Sequence, residues 1–410
     1  MIDLRAARND ADAVRAALAR KGGADLFDDL VAVDAEWREL VPQVDALRSR
    51  QKVKGKPTPE QIEELGRVKA ELQEIEARLG AAEQRRSDLL ARVPNPPDES
   101  APDGDSDEDA EEIRRWGEPP QLDEPREHTE IGRFEMERAA RVSGARFGYI
   151  VGDTALVALA LYRWALDRLV AHGHVPMIPP VLAREEPMYG TGFFPSEKGD
   201  FYEIPKDGLY LVGTSEVPLA SFHMTEVLEE LPLRYAAFSP CFRRESGAAG
   251  RDTRGMFRVH QFQKVEMFSF VRPQDSRDEH ERLLAIEEEL ARELEIPYRV
   301  VNVAAGDLGG SAAKKYDVEG WFPSQERYRE ITSTSNTTDY QARRLGIRFR
   351  DDGRLETPHT LNGTAVTDRW LLAILENFGG EIPEPLQRYG APARVARRLG
   401  GHGKRAARGG

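Results

Sequence analysis

The sequence predicts an α+β fold in which a helical hairpin precedes a domain of strands and helices. Near the N-terminus, apolar side chains recur at alternating spacings of three and four, which is the pattern of a coiled coil. Further along, residues 241–270 have the alternation of two strands joined by a loop rich in glycine and arginine, and apolar helices are predicted on either side. We therefore expect a projecting antiparallel arm and a separate globular domain.

The composition is that of an ordinary globular protein. With 410 residues, 40% hydrophobic and 31% charged, the chain is long enough for two or three domains. The net charge of −13 argues against attraction of the whole surface to nucleic acid, so any RNA would be bound by local basic patches. Cys241 is the single cysteine, which excludes an internal disulfide and a cysteine-rich zinc site and fits a reducing cytoplasm.

The chain has no apolar leader segment, and it has no run of about eighteen apolar residues. We therefore expect a cytoplasmic protein that is not associated with a membrane.

Two predicted helices, over residues 26–53 and 59–93, form the arm. Thr58, Pro59 and Gln61 are a helix-start signature for the second of them. At about 1.5 Å per residue that helix extends roughly 50 Å, so the arm, about residues 28–93, should project from an N-terminal domain of residues 1–105. Pro42 is expected to kink the first helix or to cost about 3 kcal/mol. The apolar stripes of the two helices are Leu30, Val33, Trp37, Leu40, Val44 and Leu47, and Leu65, Val68, Leu72, Ile75, Leu79, Ala82, Leu89 and Val93.

The tip of the arm is basic. A solvated tip is one interpretation, but contact with RNA phosphates is favoured because the rest of the protein is acidic. The tip residues, which have no acidic neighbour in the sequence, are Arg48, Arg50, Lys52, Lys54 and Lys56.

Residues 94–112 combine prolines with an acidic run and are predicted to be a linker. A second domain then covers residues 106–395, and a basic, flexible tail covers 396–410. Within the second domain we predict an apolar helix over about 155–173 and a strand over 174–182. A buried core helix ahead of an edge strand is one interpretation of this segment.

The hairpin at residues 241–270 has the chemistry of a site for an anionic nucleotide. The loop places Arg251 and Arg254 among glycines, where guanidiniums could fold over a phosphate, and Phe262 offers a ring for a base. An ordinary charged hairpin with a flexible tip would look similar. Alternation in the second strand puts Arg258, His260, Phe262, Lys264 and Glu266 on one face, and Phe257, Val259, Val265 and Met267 on the other.

The order of residues in this hairpin resembles the second signature motif of class II aminoacyl-tRNA synthetases, and most closely that of the seryl-tRNA synthetases. The resemblance rests on residues 242–245, 258–262 and 264–266. It implies a mixed, mostly antiparallel sheet flanked by helices, a homodimer formed through the helix and strand at 155–182, and Mg²⁺ bound with ATP; we expect no zinc. The catalytic residues that it implies are Arg243, Glu245 and Arg369, and the ATP-binding residues are Arg243, Arg244, Glu245, Arg258, Val259, Phe262, Glu330, Ile331, Thr332, Ser333 and Arg369.

The trio Thr214, Ser215 and Glu216 follows an apolar strand. Taken alone it is better explained as a cap at the end of the strand. By resemblance, the trio contributes to a serine site, and the full set of implied serine-binding residues is Thr214, Ser215, Glu216, Arg243, Glu266 and Thr364.

Glu330 and Ser333 lie in a predicted strand rich in threonine and serine, where a carboxylate could hold Mg²⁺ through oxygen ligation. By resemblance this is the ATP-binding strand, with Thr334 at the position of the family's usual cysteine. Further along, residues 365–368 are predicted to form a short turn that leads to Arg369 and an apolar helix. An arginine at the start of a helix interacts unfavourably with the positive end of the helix dipole. A bound phosphate, which both the arginine and the helix N-terminus would attract, explains its position better. The turn would place the Asp368 carboxylate beside that arginine.

The resemblance implies activation of serine by ATP and transfer to tRNA(Ser), with tRNA(Sec) as a possible second acceptor. Two alternatives remain open: a duplicated paralogue that serves a biosynthetic or inhibitor-resistance pathway, and a tRNA-binding regulator without catalysis. Because the predicted ligands lie beyond the arm, we also expect residues 1–100 to be dispensable for the activation step.

Overall fold

The N-terminal part of the protein is a helical arm on a small helical base. The computed structural model describes residues 1–52, 58–245 and 255–396. In the arm, α3 and α4 pack antiparallel through the predicted apolar stripes, which confirms the hairpin. The helices of this part are α1 (Leu4–Asn9), α2 (Ala11–Ala19), α3 (Ala24–Arg50) and α4 (Pro59–Arg92).

Local signals define how the arm helices begin and continue. The Thr58 hydroxyl accepts a hydrogen bond from the Gln61 amide at 3.3 Å, and the Gln61 side chain accepts one from the Thr58 amide at 2.9 Å, as a capping box requires. Pro42 lies inside α3, which continues as one helix from Ala24 to Arg50. The proline therefore does not divide the arm.

The second part of the chain is built on a mixed sheet. In the described residues its main sheet has eight strands in the order β1-β11-β12-β13-β16-β10-β9-β4, and the pairs are antiparallel except for parallel β4 and β9. The predicted fold class is confirmed. The strands are β1 (Glu111–Trp116), β2 (Phe134–Glu135), β3 (Tyr149–Ile150), β4 (Val175–Met177), β5 (Leu182–Ala183), β6 (Glu203–Ile204), β7 (Leu209–Leu211), β8 (Val227–Leu228), β9 (Leu233–Phe242), β10 (Gln261–Val271), β11 (Tyr298–Asn302), β12 (Lys314–Phe322), β13 (Arg327–Asn336), β14 (Arg348–Asp351), β15 (Arg354–Glu356) and β16 (His359–Thr367).

Helices cover one face of this sheet. Apolar residues of the helices Asp153–Ala171, Ser276–Glu293 and Asp368–Phe378 form one core with inward-facing strand residues, and Trp164 and Trp370 are fully buried in it. Along β10 the side chains alternate, so Val265 and Met267 enter this core while Glu266 faces the other way. The helices are α5 (His128–Ile131), α6 (Met136–Ser143), α7 (Asp153–Ala171), α8 (Glu185–Thr191), α9 (Glu216–Ala220), α10 (Ser276–Glu293), α11 (Tyr340–Arg344), α12 (Asp368–Phe378) and α13 (Glu384–Gln387).

Several predicted boundaries were wrong. The strand expected over 174–182 is divided into β4 and the start of β5, since Pro179 and Pro180 between them have no amide hydrogens for a ladder. Residues 257–260 precede β10 rather than forming part of it. The turn expected at 365–368 is absent, because β16 runs through Thr367 directly into α12.

The predicted linker is not a free connection. Asn95 is buried and its side-chain amide donates to the carbonyl oxygens of Ser311 and Thr337, both at 2.9 Å. Ala101 is also buried, and the acidic end of the segment forms β1 at the edge of the main sheet. The segment therefore attaches the arm to the sheet domain.

Candidate active site

A polar cleft of about 360 Å³ opens on the sheet face opposite the packed helices. Strands β10, β13 and β16, the residues around Thr214, and the start of α12 contribute its walls. Most of the predicted site residues line it: Thr214, Glu216, Arg243, Glu245, Arg258, Val259, Phe262, Glu266, Glu330, Ile331, Thr332, Ser333, Thr364 and Arg369.

One end of the cleft is a cluster of buried polar groups. Lys264 Nζ forms an ion pair with Glu266 and donates a hydrogen bond of 2.7 Å to Thr214 Oγ1. The same hydroxyl oxygen accepts from the Glu216 amide at 3.1 Å. Strand alternation on β10 points Lys264 and Glu266 into the cleft together, so a cation, a carboxylate and a hydroxyl meet in a small volume.

Glu216 forms the back of this cluster. Its Oε1 accepts hydrogen bonds from Gln341 Nε2 at 2.6 Å and from Asn362 Nδ2 at 2.9 Å. Burial, with a further contribution from the negative charge of Glu266, raises the pKa of Glu216 to about 7. Burial also raises the pKa of Glu266 above its ordinary value, against the opposing effect of Lys264. The cluster is thus suited to receive a small cationic, hydrogen-bonding ligand.

The other end of the cleft carries guanidiniums. Arg369 Nη1 lies 2.9 Å from Glu330 Oε2 and also donates to the Glu330 carbonyl oxygen at 2.9 Å. Its guanidinium lies 4.6 Å from the centre of the Phe257 ring. Although burial opposes it, the positive charges of Lys315 and Arg369 lower the pKa of Glu330 to about 2. This end therefore combines a carboxylate that is ionised at neutral pH with cations that can bind phosphates.

The β9–β10 hairpin supplies the remaining predicted nucleotide ligands. Arg243 Nε donates to the Gly213 carbonyl oxygen at 3.2 Å, and its guanidinium lies 5.3 Å from the centre of the Phe262 ring. Glu245 Oε2 pairs with Arg258 Nη1 at 3.1 Å. The predicted loop residues Arg251 and Arg254 lie outside the described residues.

Two predicted site residues do not line the cleft. Ser215 is fully buried, and its hydroxyl oxygen lies 2.7 Å from that of Ser239. The Arg244 guanidinium lies 5.6 Å from the centre of the Tyr202 ring, while its amide donates to the Asp200 carbonyl oxygen at 2.9 Å. Neither residue lies in a strand, and these contacts hold both side chains away from the cleft.

Lys264, Lys315 and Asn362 are among the cleft-lining residues that sequence reasoning left out, and it also left out Gln341, which supports the cleft through Glu216. Lys264 could have been included, because it shares the predicted strand face with Glu266. Gln341 could not, since it lies on α11, far along the chain from Glu216, and no local pattern indicates its contact.

Asp368 does not face Arg369, contrary to the expectation. The Tyr162 hydroxyl donates to Asp368 Oδ1, and the Gln263 amide donates to Oδ2 at 3.1 Å. Burial raises the pKa of Asp368 to about 6. The carboxylate therefore links α7, β10 and α12, and it leaves Arg369 paired with Glu330.

The tip of the arm differs in part from the prediction. Arg48 pairs with Glu76 at 2.8 Å and Arg50 with Glu64 at 2.6 Å, so these two arginines do have acidic neighbours, which antiparallel packing brings from α4. Both pairs are exposed and therefore weak. Lys52 is exposed. Lys54 and Lys56 lie outside the described residues, as does the tail from residue 397.

The described part of the chain has neither a cluster of metal-binding side chains nor a helix that could span a membrane. Across residues 1–52, 58–245 and 255–396, no group of three or more His, Cys, Asp or Glu side chains is arranged to hold a metal ion. Among the same residues, no helix has the length and apolarity needed to cross a bilayer.

The fold and the cleft define a class II aminoacyl-tRNA synthetase. Residues 201–378 match the family model "tRNA synthetase class II core domain (G, H, P, S and T)", and residues 1–97 match "Seryl-tRNA synthetase N-terminal domain". The serine–tRNA ligase of Thermobifida fusca is 47% identical over 95% of this chain and 97% of its own length, and that of Nocardia farcinica is 47% identical over 92% and 94%.

Solved structures agree. A Pyrococcus horikoshii seryl-tRNA synthetase complexed with ATP is 38% identical, with a TM-score of 0.90 over 97% of this chain and 99% of that one. A Naegleria fowleri cytoplasmic serine–tRNA ligase in complex with AMP is 31% identical, with a TM-score of 0.84 over 94% and 95%. The chain belongs to the seryl-tRNA synthetase family and is an ATP-dependent ligase of serine and tRNA.

Proposed function

We propose that the chain activates L-serine with ATP in this cleft and then transfers the seryl group to the 3′ end of tRNA(Ser). A serine carboxylate oxygen attacks the α-phosphorus, and the bond to pyrophosphate breaks. A carboxylate is already a nucleophile, so this step needs no strong base. The observation that carries the proposal is the convergence in one cleft of a buried carboxylate and hydroxyl cluster with a set of guanidiniums.

At the serine end, the ammonium group is bound by Glu216 and Glu266, and the hydroxyl by Thr214 and Thr364. Support comes from the burial of all four residues along the cleft. A small ligand enclosed by paired polar groups is selected through its hydroxyl, because an analogue without it would leave those groups unpaired.

At the nucleotide end, Arg243 and Arg369 neutralise the phosphates, and Phe262 stacks on the base. Arg258 and Glu245, which pair with each other at 3.1 Å, position the hairpin against the nucleotide. This assignment is supported by the planar, permanently charged guanidinium, which suits bidentate phosphate contacts.

Glu330 and Ser333 would hold Mg²⁺ together with ATP. The donor set fits this hard cation, since both residues line the cleft and Glu330 remains ionised far below neutral pH. The ion would supply charge neutralisation on the phosphates. Glu330 faces Arg369 and, at 4.0 Å, Lys315, so the carboxylate is shared among cations.

We assign tRNA binding to the N-terminal domain, residues 1–105, and catalysis to residues 106–395. The exposed arginines at the arm tip support the first assignment, since their acidic partners are solvent-exposed and replaceable. We further propose tRNA(Sec) as a second acceptor and the cytoplasm as the location.

We also propose a homodimer formed through α7 and β4. Apolar side chains are exposed on both elements and directly after β4: Leu159 of α7 to 61%, Val175 of β4 to 55%, and Ile178 to 90%. A patch of this kind on one side of a molecule is typical of an interface. Sedimentation at micromolar concentration should give twice the mass of the chain, and Ile178→Asp should give the monomer.

The direct test of the two-step reaction is charging of purified tRNA(Ser) with labelled serine and ATP, with and without a chelator of divalent cations. We expect seryl-tRNA only with metal, and pyrophosphate release without tRNA. A protein that binds tRNA but forms neither product would be the non-catalytic regulator. The cleft's paired cations and carboxylates disfavour that alternative.

A further inference from the structure

One wall of the cleft is made of backbone that is held from outside the sheet domain. Residues 309–312, between β11 and β12, line the cleft. The five successive carbonyl oxygens of residues 309–313 each accept a hydrogen bond from the N-terminal segment, donated by Lys21, Asn95 or Asp98. We call residues 309–313 the wall segment.

Lys21 binds both ends of the part of the wall segment that lines the cleft, residues 309–312. Its Nζ donates to the carbonyl oxygens of Gly309 at 2.8 Å and Ala312 at 2.7 Å, and to that of Asn95 at 3.2 Å. An ammonium group has three donors, so all of them are used on carbonyl oxygens. Burial lowers the pKa of Lys21 to about 7, which is the cost of placing a cation among neutral groups.

Asn95 and Asp98 bind the other three carbonyl oxygens of the wall segment. The Asn95 amide donates to Gly310 at 2.8 Å, and its side chain donates to Ser311 at 2.9 Å. The Asp98 amide donates to Ala313 at 2.8 Å. The Lys21 contact with the Asn95 carbonyl connects these tethers into one network.

The wall segment needs such tethers because its own side chains do little to fix it. Gly309 and Gly310 have no side chains, and a Cβ added at either would meet nothing within 4 Å. Two adjacent glycines in open space have a large conformational entropy to lose. Hydrogen bonds from a charged donor are among the stronger ones available to hold them.

The wall lies on the serine side of the cleft. Ser311 approaches Gly192 so closely that a Cβ added to Gly192 would lie 3.1 Å from the Ser311 Cβ and 3.1 Å from the Tyr340 ring. Tyr340 begins α11, whose Gln341 bonds Glu216. A displaced wall would therefore change the space next to Glu216.

We propose that Lys21 is a positioning residue for serine activation: from the N-terminal domain, its ammonium holds the wall segment in the shape that binds serine. The inference rests on the proposed activation reaction. Since α2 and Lys21 lead directly into α3, the arm is rooted in the same body that holds the wall. Deletion of residues 1–100 should therefore impair activation, which replaces the expectation from sequence that this step would be spared.

The test compares Lys21→Met with Arg15→Met in ATP–pyrophosphate exchange. Arg15 is the control, because its exposed ion pair with Asp28 at 2.9 Å joins α2 to α3 in the same domain and includes none of the tethering residues Lys21, Asn95 and Asp98. Lys21→Met should raise KM for serine about tenfold, the equivalent of about 1.4 kcal/mol, with a smaller change in kcat. Arg15→Met should stay within about twofold of the parent. Lys21→Arg, which keeps charged donors, should recover most of the affinity.

Hydrogen exchange provides a second readout that does not require activity. The Ala312 and Ala313 amides, which donate to the carbonyl oxygens of Gly309 and Asn336, should exchange faster in Lys21→Met and remain protected in Arg15→Met. Equal KM changes in the two variants, or an unchanged KM and unchanged protection in Lys21→Met, would overturn the proposal. If Lys21→Met does not fold, the same criteria apply to Asn95→Ala. If the parent enzyme shows no exchange with serine, the proposed reaction fails, and the amide protection alone decides the role of Lys21.

Discussion

Gln341 Nε2 donates a hydrogen bond of 2.6 Å to Glu216 Oε1, and this contact joins α11 to the proposed serine pocket. The bond favours the ionised form of the carboxylate, whereas burial and the charge of Glu266 favour the protonated form. The pKa of Glu216 is consequently about 7. The carboxyl group that is proposed to bind the serine ammonium therefore changes its charge near neutral pH.

The first prediction concerns the pH dependence of serine binding. Because only ionised Glu216 attracts an ammonium group, kcat/KM for serine at saturating ATP should rise with pH and level off above about 7. Gln341→Met removes a donor to the ionised form and should move the midpoint to higher pH. Gln387→Met, whose side chain bonds the Ile382 carbonyl away from the cleft, is the control. Identical midpoints in all three proteins would count against Glu216 as the titrating group.

The same pKa predicts a stability effect of defined sign. From about pH 4.5 to about 7 the folded protein keeps the Glu216 proton that the unfolded chain has lost, so this group lowers the free energy of unfolding as pH rises through that range. Glu216→Gln should therefore gain stability relative to the parent between these values. Urea unfolding at pH 4.5, 6 and 7.5 measures the difference, which should grow with pH.

The third prediction concerns the phosphate end of the cleft. Arg243→Ala and Arg369→Ala should each lower kcat for activation by about 10² to 10³, because each removes a cation placed for the transition state. Arg388→Ala, which breaks an exposed pair with Glu384 at 2.8 Å, should have no effect on the rate. Normal kinetics in either of the first two variants would remove that arginine from the site.

The fourth prediction concerns the tip of the arm. Replacing all five basic tip residues by Gln should flatten the salt dependence of tRNA binding, by about 0.7 to 0.9 in log–log slope for each phosphate that the tip no longer neutralises. Activation of serine without tRNA should not change. Three exposed arginines of the sheet domain, replaced in the same way, serve as the control: Arg350, Arg354 and Arg388. An unchanged slope would mean that the tip is only solvated.

The arm and the ligand face of the hairpin could be predicted from sequence because their signals are local, whereas most of the other cleft residues followed from the resemblance of the motifs to a known family. A heptad stripe, a capping box at Thr58 and the alternation around Glu266 each involve residues a few positions apart. The end of the strand at β4 could also have been predicted, since Pro179 and Pro180 have no amide hydrogens to donate to a neighbouring strand.

Long-range contacts could not be predicted. Gln341 bonds Glu216, and Lys21 bonds the carbonyls of Gly309 and Ala312, across separations that no sequence window spans. The orientation of Asp368 depended on whether β16 ended in a turn, and a continuous strand turned the carboxylate toward Tyr162. Such side chains are placed by the tertiary fold rather than by their neighbours in the chain.

The most direct test of the account is ATP–pyrophosphate exchange without tRNA, measured with serine, alanine and threonine. The buried polar groups around Thr214 and Glu266 predict that serine alone supports rapid exchange, and that kcat/KM for alanine is lower by about 10⁴ because those groups would be left unpaired. Exchange at equal rates with serine and alanine would contradict the assignment of this cleft to serine.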